Sequence, residues 1–449
     1  MSEQSDNVTQ EEFVKIVNSI IKLENKDTHA IDLTNQNITD KKLYQSMVHY
    51  SKKYKLPEHL KVIRKLYLDD NQLIYGYAIL FKVLQVSNIT FLSLHNNKMD
   101  DAGAVVLAKY LCNNNASNSY LSNLKYLDIS NNLIGYEGIQ AISESLKTHQ
   151  CLSELYMDDN NIGSQGANYI GEMLKLNTSI RVINMNVNNI NMYESIIFAE
   201  GVNFNKSLYS LSINCNNFID DEENNGINTY ENIAVVIKLI LSSKTIKYLV
   251  LDFSDIDDIM TQYIANELKT NNILTELSLR GSEISNEGAY LLFDALKNNE
   301  STVLKSIALA NTYITNECLG SFAELLGNND IIQSVDMYDT DINNEGLIEL
   351  SKRSELKTNE SIIILTFGQE NIMEEVPIVN NELNHILCRN TNLFWRPYIH
   401  KFNLFNEDIH LMFMSTILCN TYGDLQARLP MSVIIYIFNF FNRVHFLNY

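Results

Sequence analysis

One short motif recurs along the chain, and it constrains the fold more than any other feature. Its clearest copy, at residues 152–174, reads LSELYMDDNNIGSQGANYIGEML. Leu155, Met157 and Ile162 place apolar side chains around Asn160, and a stretch with helical spacing follows. Twelve copies align on this position, and most steps between them are 28 or 30 residues, which predicts a repeat architecture. The aligned column reads Gln36, Asn71, Asn97, Asn132, Asn160, Asn188, Asn216, Ser254, Ser282, Thr312, Thr340 and Glu370.

Each copy has the pattern L-x-L-x-x-N-x-L followed by an amphipathic stretch. Alternating apolar residues predict a short strand with one buried face, and the later stretch predicts a helix that returns the chain to the next strand. Asparagine both donates and accepts hydrogen bonds, so the Asn column is predicted to satisfy the buried backbone of the turn. From Ser254 onward the column becomes Ser, Thr and Glu, which predicts a slightly different turn and a worn last copy.

A single strand and helix cannot bury their apolar faces, whereas stacked copies bury a continuous core. The strands of successive copies must then run parallel, with the helices on the other side. Helices are wider than strands, so the stack is expected to curve. The prediction is therefore an α/β solenoid shaped like a horseshoe, with a parallel sheet on its concave face, helices on its convex face and helical caps.

The motif resembles that of the leucine-rich repeat proteins. SQGANYIGEMLKLN at 164–177 and SNEGAYLLFDALKNN at 285–299 resemble the helical half of the ribonuclease-inhibitor-like subclass. The resemblance covers roughly residues 31–372, about three quarters of the chain. It implies a protein that binds other proteins. The abundance of Asn, Ile, Lys and Tyr also resembles repeat proteins that intracellular bacteria secrete into host cells as effectors.

Three regions are predicted along the chain. Residues 1–29 contain an amphipathic stretch expected to form an N-terminal helical cap, and residues 30–372 form the repeat domain. Residues 373–449 are expected to be helical, and LPMSVIIYIFNFF at 429–441 resembles the opening of an F-box. Ser432 stands where an F-box has an acidic residue, and a capping helical bundle is the alternative interpretation.

The composition indicates the kind of partner. The chain has 34 Lys and Arg against 54 Asp and Glu, a net charge of −20. Nucleic acid is therefore excluded as a direct ligand, and a partner protein with a basic surface is expected. Six scattered cysteines indicate a reduced environment, and neither a signal peptide nor a membrane span is predicted. The expectation is a monomer in the cytoplasm, or one secreted into a host cytosol.

The binding site is predicted on the outward-facing positions of the strands. Tyrosines and aspartates there are concentrated towards both ends of the sheet. Tyrosine is a usual interface anchor, and aspartate matches the net charge. The predicted partner-binding residues are Tyr67, Asp69, Asp128, Tyr156, Asp158, Asp336 and Tyr338. Loops at 113–120 and 220–230 are alternative binding elements, and a solvated sheet without a partner is the remaining interpretation.

No catalytic signature occurs. The chain lacks G-x-x-x-x-G-K-[ST], G-x-S-x-G and H-E-x-x-H, and its nine histidines are dispersed. No enzyme activity, cofactor or metal is therefore predicted. The predicted function is a protein–protein interaction scaffold. Two alternatives stay open: a GTPase-activating protein of the Ran type, whose family has similar repeats, and a ubiquitin-ligase adaptor acting through the C-terminal tail.

Overall fold

A computed structural model describes most of the repeat region. The described residues are 30–53, 63–79, 89–111, 121–216 and 228–368. The predicted cap at 1–29, the loop at 113–120 and the C-terminal region at 373–449, including the F-box-like segment, lie outside them. Residues 228–230, predicted as loop, form the first turn of a helix.

Twelve parallel strands form one open sheet, and each strand is hydrogen-bonded only to its neighbours in the sequence. The inner leucines stand in register, as Leu127 opposite Leu155 illustrates. The predicted α/β solenoid is therefore confirmed. The strands are β1 (Ala30–Asp32), β2 (Lys65–Tyr67), β3 (Phe91–Ser93), β4 (Tyr126–Asp128), β5 (Glu154–Tyr156), β6 (Val182–Asn184), β7 (Ser210–Ser212), β8 (Tyr248–Val250), β9 (Glu276–Ser278), β10 (Ser306–Ala308), β11 (Ser334–Tyr338) and β12 (Ile364–Gly368).

Helices alternate with the strands and cover one face of the sheet. Each buries an apolar stripe, as Ile139, Ile142 and Leu146 do in the third helix. The core is continuous along the stack because every repeat adds its own leucines and isoleucines to it. The helices are α1 (Asp40–Lys53), α2 (Asp101–Leu111), α3 (Tyr136–Leu146), α4 (Gly163–Leu174), α5 (Ile196–Phe204), α6 (Asn228–Leu241), α7 (Asp258–Leu268), α8 (Asn286–Asn298), α9 (Leu319–Asn328), α10 (Asn344–Lys352) and α11 (Ser354–Thr358).

The predicted asparagine ladder joins the repeats from Asn71 to Asn216. Asn132 shows the pattern. Its Nδ2 donates to the carbonyl oxygens of Leu94, Ile129 and Ser130, and its Oδ1 accepts the N–H of Met99. Gln36 does not take this role, because its side chain is exposed and bonds only within its own turn.

The serine and threonine half of the column bonds differently. The Thr312 hydroxyl donates to the Leu309 carbonyl within the same repeat. One feature of the backbone turn, however, is shared by both halves. The residue before the column is left-handed in all eleven described repeats, from Asn35 to Asp339. The expectation of a different turn is therefore wrong for this residue, and the difference lies in the hydrogen bonds.

A second ladder, which the sequence analysis did not identify, joins the returns from helix to strand. Asn177 donates to the carbonyl oxygens of Leu146 and His149 and accepts the N–H of Ile180. Its counterparts with the same side chain are Asn205, Asn271, Asn299, Asn329 and Asn359. His149 fills the same place with an imidazole. Its Nε2 lies 2.9 Å from the Leu121 carbonyl oxygen, and its Nδ1 accepts the N–H of Leu152.

Candidate protein-binding face of the sheet

The face of the sheet opposite the helices is uncovered by other described elements, and we call it the open face. It is the face that was predicted to be concave. Each strand presents there the residue between its two inner apolar positions and the residues two places before and after it. The chain order of the repeats is also their spatial order. Residues of β2 to β5 therefore lie within about 14 Å, at about 4.8 Å per strand.

Four aromatic rings form a row across β2 to β5. Phe91 and Tyr126 stack, with ring centroids 4.1 Å apart and ring planes at 9°. Tyr67 flanks Phe91 at 4.8 Å, and Tyr156 flanks Tyr126 at 5.0 Å. All four side chains are partly buried. The ammonium group of Lys65 lies 5.8 Å from the centre of the Phe91 ring, so this row already attracts a cation.

Tyr67 and Tyr156 are among the residues predicted from the sequence, but Phe91 and Tyr126 are not. Phe91 lies two places before Ser93, and Tyr126 lies two places before Asp128, the outward-facing positions on which that prediction was based. The signal that identifies them is the period of two along a strand, which returns the side chain to the same face. Phe91 is paired with Tyr126 in the register of β3 and β4, which places their rings side by side.

Three predicted carboxylates lie beside the aromatic row. Asp69 accepts a hydrogen bond from the Ser93 hydroxyl and another, at 3.0 Å, from the His95 N–H. Asp128 accepts the N–H of Ser130 at 2.9 Å. Ser93 and Ser130 are small and buried, so they leave a shallow floor between the rings and the carboxylates.

Two of these carboxyl groups are electrostatically unfavourable in the free protein. Burial raises the pKa of Asp158 to about 6, the Asn186 N–H opposes this, and the charge of Asp128 raises it further. Burial also raises the pKa of Asp69, and its hydrogen bonds with Ser93 and His95 lower it. A positive charge beside these groups would stabilise their ionised forms and offset the repulsion that Asp128 exerts on each of them.

The backbone hydrogen bond that Asp158 makes is formed by a carboxylate in some repeats, as at Asp69 and Asp252, and by an amide in others. The Oδ1 of Asp158 accepts the N–H of Asn186 at 2.7 Å. In the next repeat the Oδ1 of Asn186 accepts the N–H of Asn214, also at 2.7 Å. Asn214 in turn accepts the N–H of Asp252 at 2.9 Å. An amide therefore performs the same bond in two successive repeats without the cost of a partly buried charge.

The structure separates Asp336 and Tyr338 from the other predicted residues. They lie on β11, six strands and about 29 Å from β5. The Asp336 carboxylate pairs with Arg280, two residues after the end of β9, with 2.7 Å between the nitrogen and oxygen atoms. Ala308, on the strand between them, leaves room for the arginine side chain to cross. Asp336 is thus already paired with a cation inside the chain.

Comparison with known families identifies the repeat. A family model described as "Leucine Rich repeat" matches residues 120–143, 148–171 and 270–293. The chain contains leucine-rich repeats. Two of the three matched leucine-rich repeats carry β4 and β5, and therefore half of the candidate site.

One human protein and one solved structure are similar to parts of this chain. The human protein "NACHT, LRR and PYD domains-containing protein 14" is 28% identical over 103 residues, which is 23% of this chain and 9% of that protein. The chain thus aligns with less than a tenth of that relative's length. The solved structure "Leiomodin-1 Actin-Binding Site 2 (ABS2)" has a TM-score of 0.33 and 16% identity, over 38% of this chain and 95% of that one.

The residues that the structure describes contain neither a candidate metal site nor a candidate membrane span. No group of three or more His, Cys, Asp or Glu side chains there is arranged to hold a metal ion. No helix within the described ranges is long and apolar enough to cross a membrane. Cys151, Cys215 and Cys318 are free thiols.

Proposed function

We propose that this protein is a non-enzymatic interaction scaffold that binds a partner protein through an aromatic–acidic patch. We define this patch as Tyr67, Phe91, Tyr126 and Tyr156 together with Asp69, Asp128 and Asp158. The observation that carries the proposal is the carboxylate of Asp158. It is partly buried and its pKa is raised, although the next two repeats make the same hydrogen bond with an amide. A charge that costs stability at a position where an amide can make the same backbone bond supports a role in binding.

The chemistry of the patch supports a basic partner. Arginine and lysine side chains are attracted both to carboxylates and to the faces of aromatic rings. The rings are held by their neighbours, so little conformational entropy is lost when a partner covers them. Phe91 already lies near the Lys65 ammonium group, which supports the expectation that the row attracts a cation. We therefore expect one arginine or lysine of the partner to lie between the rings and Asp158.

The test compares two variants with the same charge change. The patch variant carries Asp128→Asn and Asp158→Asn, which keep an oxygen for each backbone N–H. The control carries Asp339→Asn and Asp341→Asn, at exposed turn positions outside the patch. Partners are captured from lysate with the wild-type chain and both variants. A partner retained by the wild type and control but lost by the patch variant supports the proposal, whereas equal retention by all three contradicts it.

A second measurement follows from the raised pKa of Asp158. A bound cation stabilises the ionised carboxylate, so the affinity of a captured partner is expected to rise as pH increases through about 6. Titration at pH 5 and pH 7.5 measures this. An affinity that is flat over this range for the wild type would contradict a role for Asp158 in cation binding.

The finer expectations remain proposals. The spacing of about 28 residues supports the ribonuclease-inhibitor-like subclass. The cytoplasmic location, the monomeric state and delivery into a host cell rest on composition alone. The Ran-type and ubiquitin-adaptor alternatives gain no specific support from the described residues, and the F-box-like segment at 429–441 lies outside them.

A further inference from the structure

The left-handed position before the ladder column holds an unusual residue type in three repeats. Residues other than Gly, Asn and Asp are disfavoured in the left-handed conformation because their Cβ atom approaches the following carbonyl oxygen. Eight repeats use the favoured types: Asn35, Asp70, Asn96, Asn131, Asp159, Gly281, Asn311 and Asp339. The three exceptions are Val187, Cys215 and Phe253, and they occupy consecutive repeats.

These three residues are adjacent in space. The Val187 N–H donates to the carbonyl of Asn214, immediately before Cys215. The Cys215 N–H donates in the same way to Asp252, immediately before Phe253. The Phe253 ring then leans over Gly281, where a Cβ would lie 2.1 Å from its Cδ1 atom. Together they form a ridge of apolar side chains at the end of the sheet where the strands of β6 to β8 exit, and we call it the turn ridge.

Among the residues that the structure describes, the turn ridge gains little from packing. Val187 is 46% exposed, Phe253 is 52% exposed, and Cys215 is also classed as exposed. Burial in the core therefore does not offset the unfavourable backbone conformation. Unfavourable backbone that persists without local compensation is typical of functional sites. Three such residues in a row make a chance substitution a poor explanation.

The surroundings of the turn ridge are acidic. Asp159 precedes it in the row of turns, and Asp255 and Glu283 follow it, all with exposed side chains. Burial raises the pKa of the Cys215 thiol, and the nearby charges of Asp252 and Asp255 raise it further, so two carboxylates lie close to the centre of the ridge. The ridge thus combines an apolar crest with carboxylates at both ends.

We propose that the turn ridge docks an extended segment of another protein in which a short apolar stretch is flanked on both sides by lysine or arginine. The apolar side chains would contact Val187 and Phe253, and the basic side chains at the two ends of the stretch would pair with Asp159 on one side and with Asp255 and Glu283 on the other. Three repeats span about 10 Å at about 4.8 Å per step, which matches roughly three residues of an extended chain. This surface is separate from the aromatic–acidic patch, so either one can fail without the other.

The test uses substitutions that improve the backbone while removing the apolar crest. The ridge variant carries Val187→Asn, Cys215→Asn and Phe253→Asn, the residue type found in other repeats. The control carries Leu176→Asn and Phe204→Asn, which are 63% and 69% exposed but have ordinary backbone conformations. Fluorescein-labelled peptide KKLFLKK is the probe. KKSSSKK lacks its apolar side chains and EELFLEE lacks its positive charge.

We expect KKLFLKK to bind the wild type and the control equally and the ridge variant at least about tenfold more weakly in anisotropy titrations. We also expect the ridge variant to unfold at a higher urea concentration than the wild type, which separates lost binding from lost structure. Absence of KKLFLKK binding to the wild type overturns the proposal, as does equal affinity of the ridge variant or equal binding of KKSSSKK. A wild-type dimer in sedimentation that the ridge variant lacks overturns it too, because a second copy would then occupy the ridge.

Discussion

The asparagine ladder makes a quantitative prediction about how the two halves of the solenoid are held together. In Asn132→Ala the Met99 N–H loses the amide oxygen to which it donates at 2.9 Å. An unsatisfied buried N–H costs about 1–3 kcal/mol. The carbonyls of Leu94, Ile129 and Ser130 each lose one donor at 3.0 Å.

Those carbonyls keep one other donor each, supplied by the side chains of Asn97 and Asn160 and the N–H of Asn96. The loss at each carbonyl is therefore smaller, roughly 0.5 kcal/mol. The sum for Asn132→Ala is about 3 kcal/mol. Thr312→Ala removes only the single bond to the Leu309 carbonyl and is expected to cost about 1 kcal/mol.

Urea unfolding followed by circular dichroism at 222 nm gives the two free energies, and hydrogen exchange reports where each repeat opens. Because each repeat contacts only its neighbours, the extra exchange in Asn132→Ala should concentrate in the repeats of β3 and β4. If Asn132→Ala lowers the free energy of unfolding no more than Thr312→Ala does, the asparagine ladder does not hold neighbouring repeats together.

Three further predictions concern other buried groups. Burial lowers the pKa of His149, and its Nδ1 must stay unprotonated to accept a backbone N–H, so the unfolded chain binds more protons below about pH 6.5. The free energy of unfolding of the wild type should therefore fall more between pH 7 and pH 5 than that of His149→Asn, which supplies the side chain found elsewhere in the second ladder. An equal loss of stability for the two proteins in urea unfolding at these pH values would refute this. The pKa of Asp158 is raised to about 6, so the folded state binds more protons between about pH 4 and pH 6 and the carboxylate costs stability above that range. Asp158→Asn should be about 1 kcal/mol more stable at pH 7, and equal midpoints at pH 7 would show that the charge costs nothing. Gly201→Ala would place a Cβ 2.2 Å from the Gly171 carbonyl oxygen and force α4 and α5 apart, at about 1–3 kcal/mol in thermal unfolding. Gly320→Ala, whose nearest atom is 3.4 Å away, is the control, and similar melting of the two variants would exclude this tight contact.

Much of the candidate site follows from the repeat alone. In a solenoid the distance between two residues grows with the number of repeats between them, so the grouping of Tyr67, Asp128 and Tyr156 is readable from their copies. The same rule separates Asp336 from them. The prediction from sequence placed Tyr and Asp towards both ends of the sheet by residue type, and residue type does not measure how many strands separate the two groups.

Other parts of the site required the register and the side-chain contacts. Phe91 and Tyr126 belong to the row because neighbouring strands place them opposite each other. The burial of Asp158, and its bond to the Asn186 N–H, depend on side chains from adjacent repeats. The pairing of Arg280 with Asp336 crosses a third strand and has no trace in the local pattern.

The repeat by itself determined the strands, the helices, the open sheet and the ladder from Asn71 to Asn216, because each is set by a local period that every copy repeats. Only the tertiary structure showed that His149 belongs to a second ladder and that Val187 and Phe253 are left-handed. These features depend on which backbone groups meet after stacking and on which side chains remain exposed. A pattern shared by all copies specifies the common fold, whereas the exceptions to that pattern acquire meaning only from their neighbours in space.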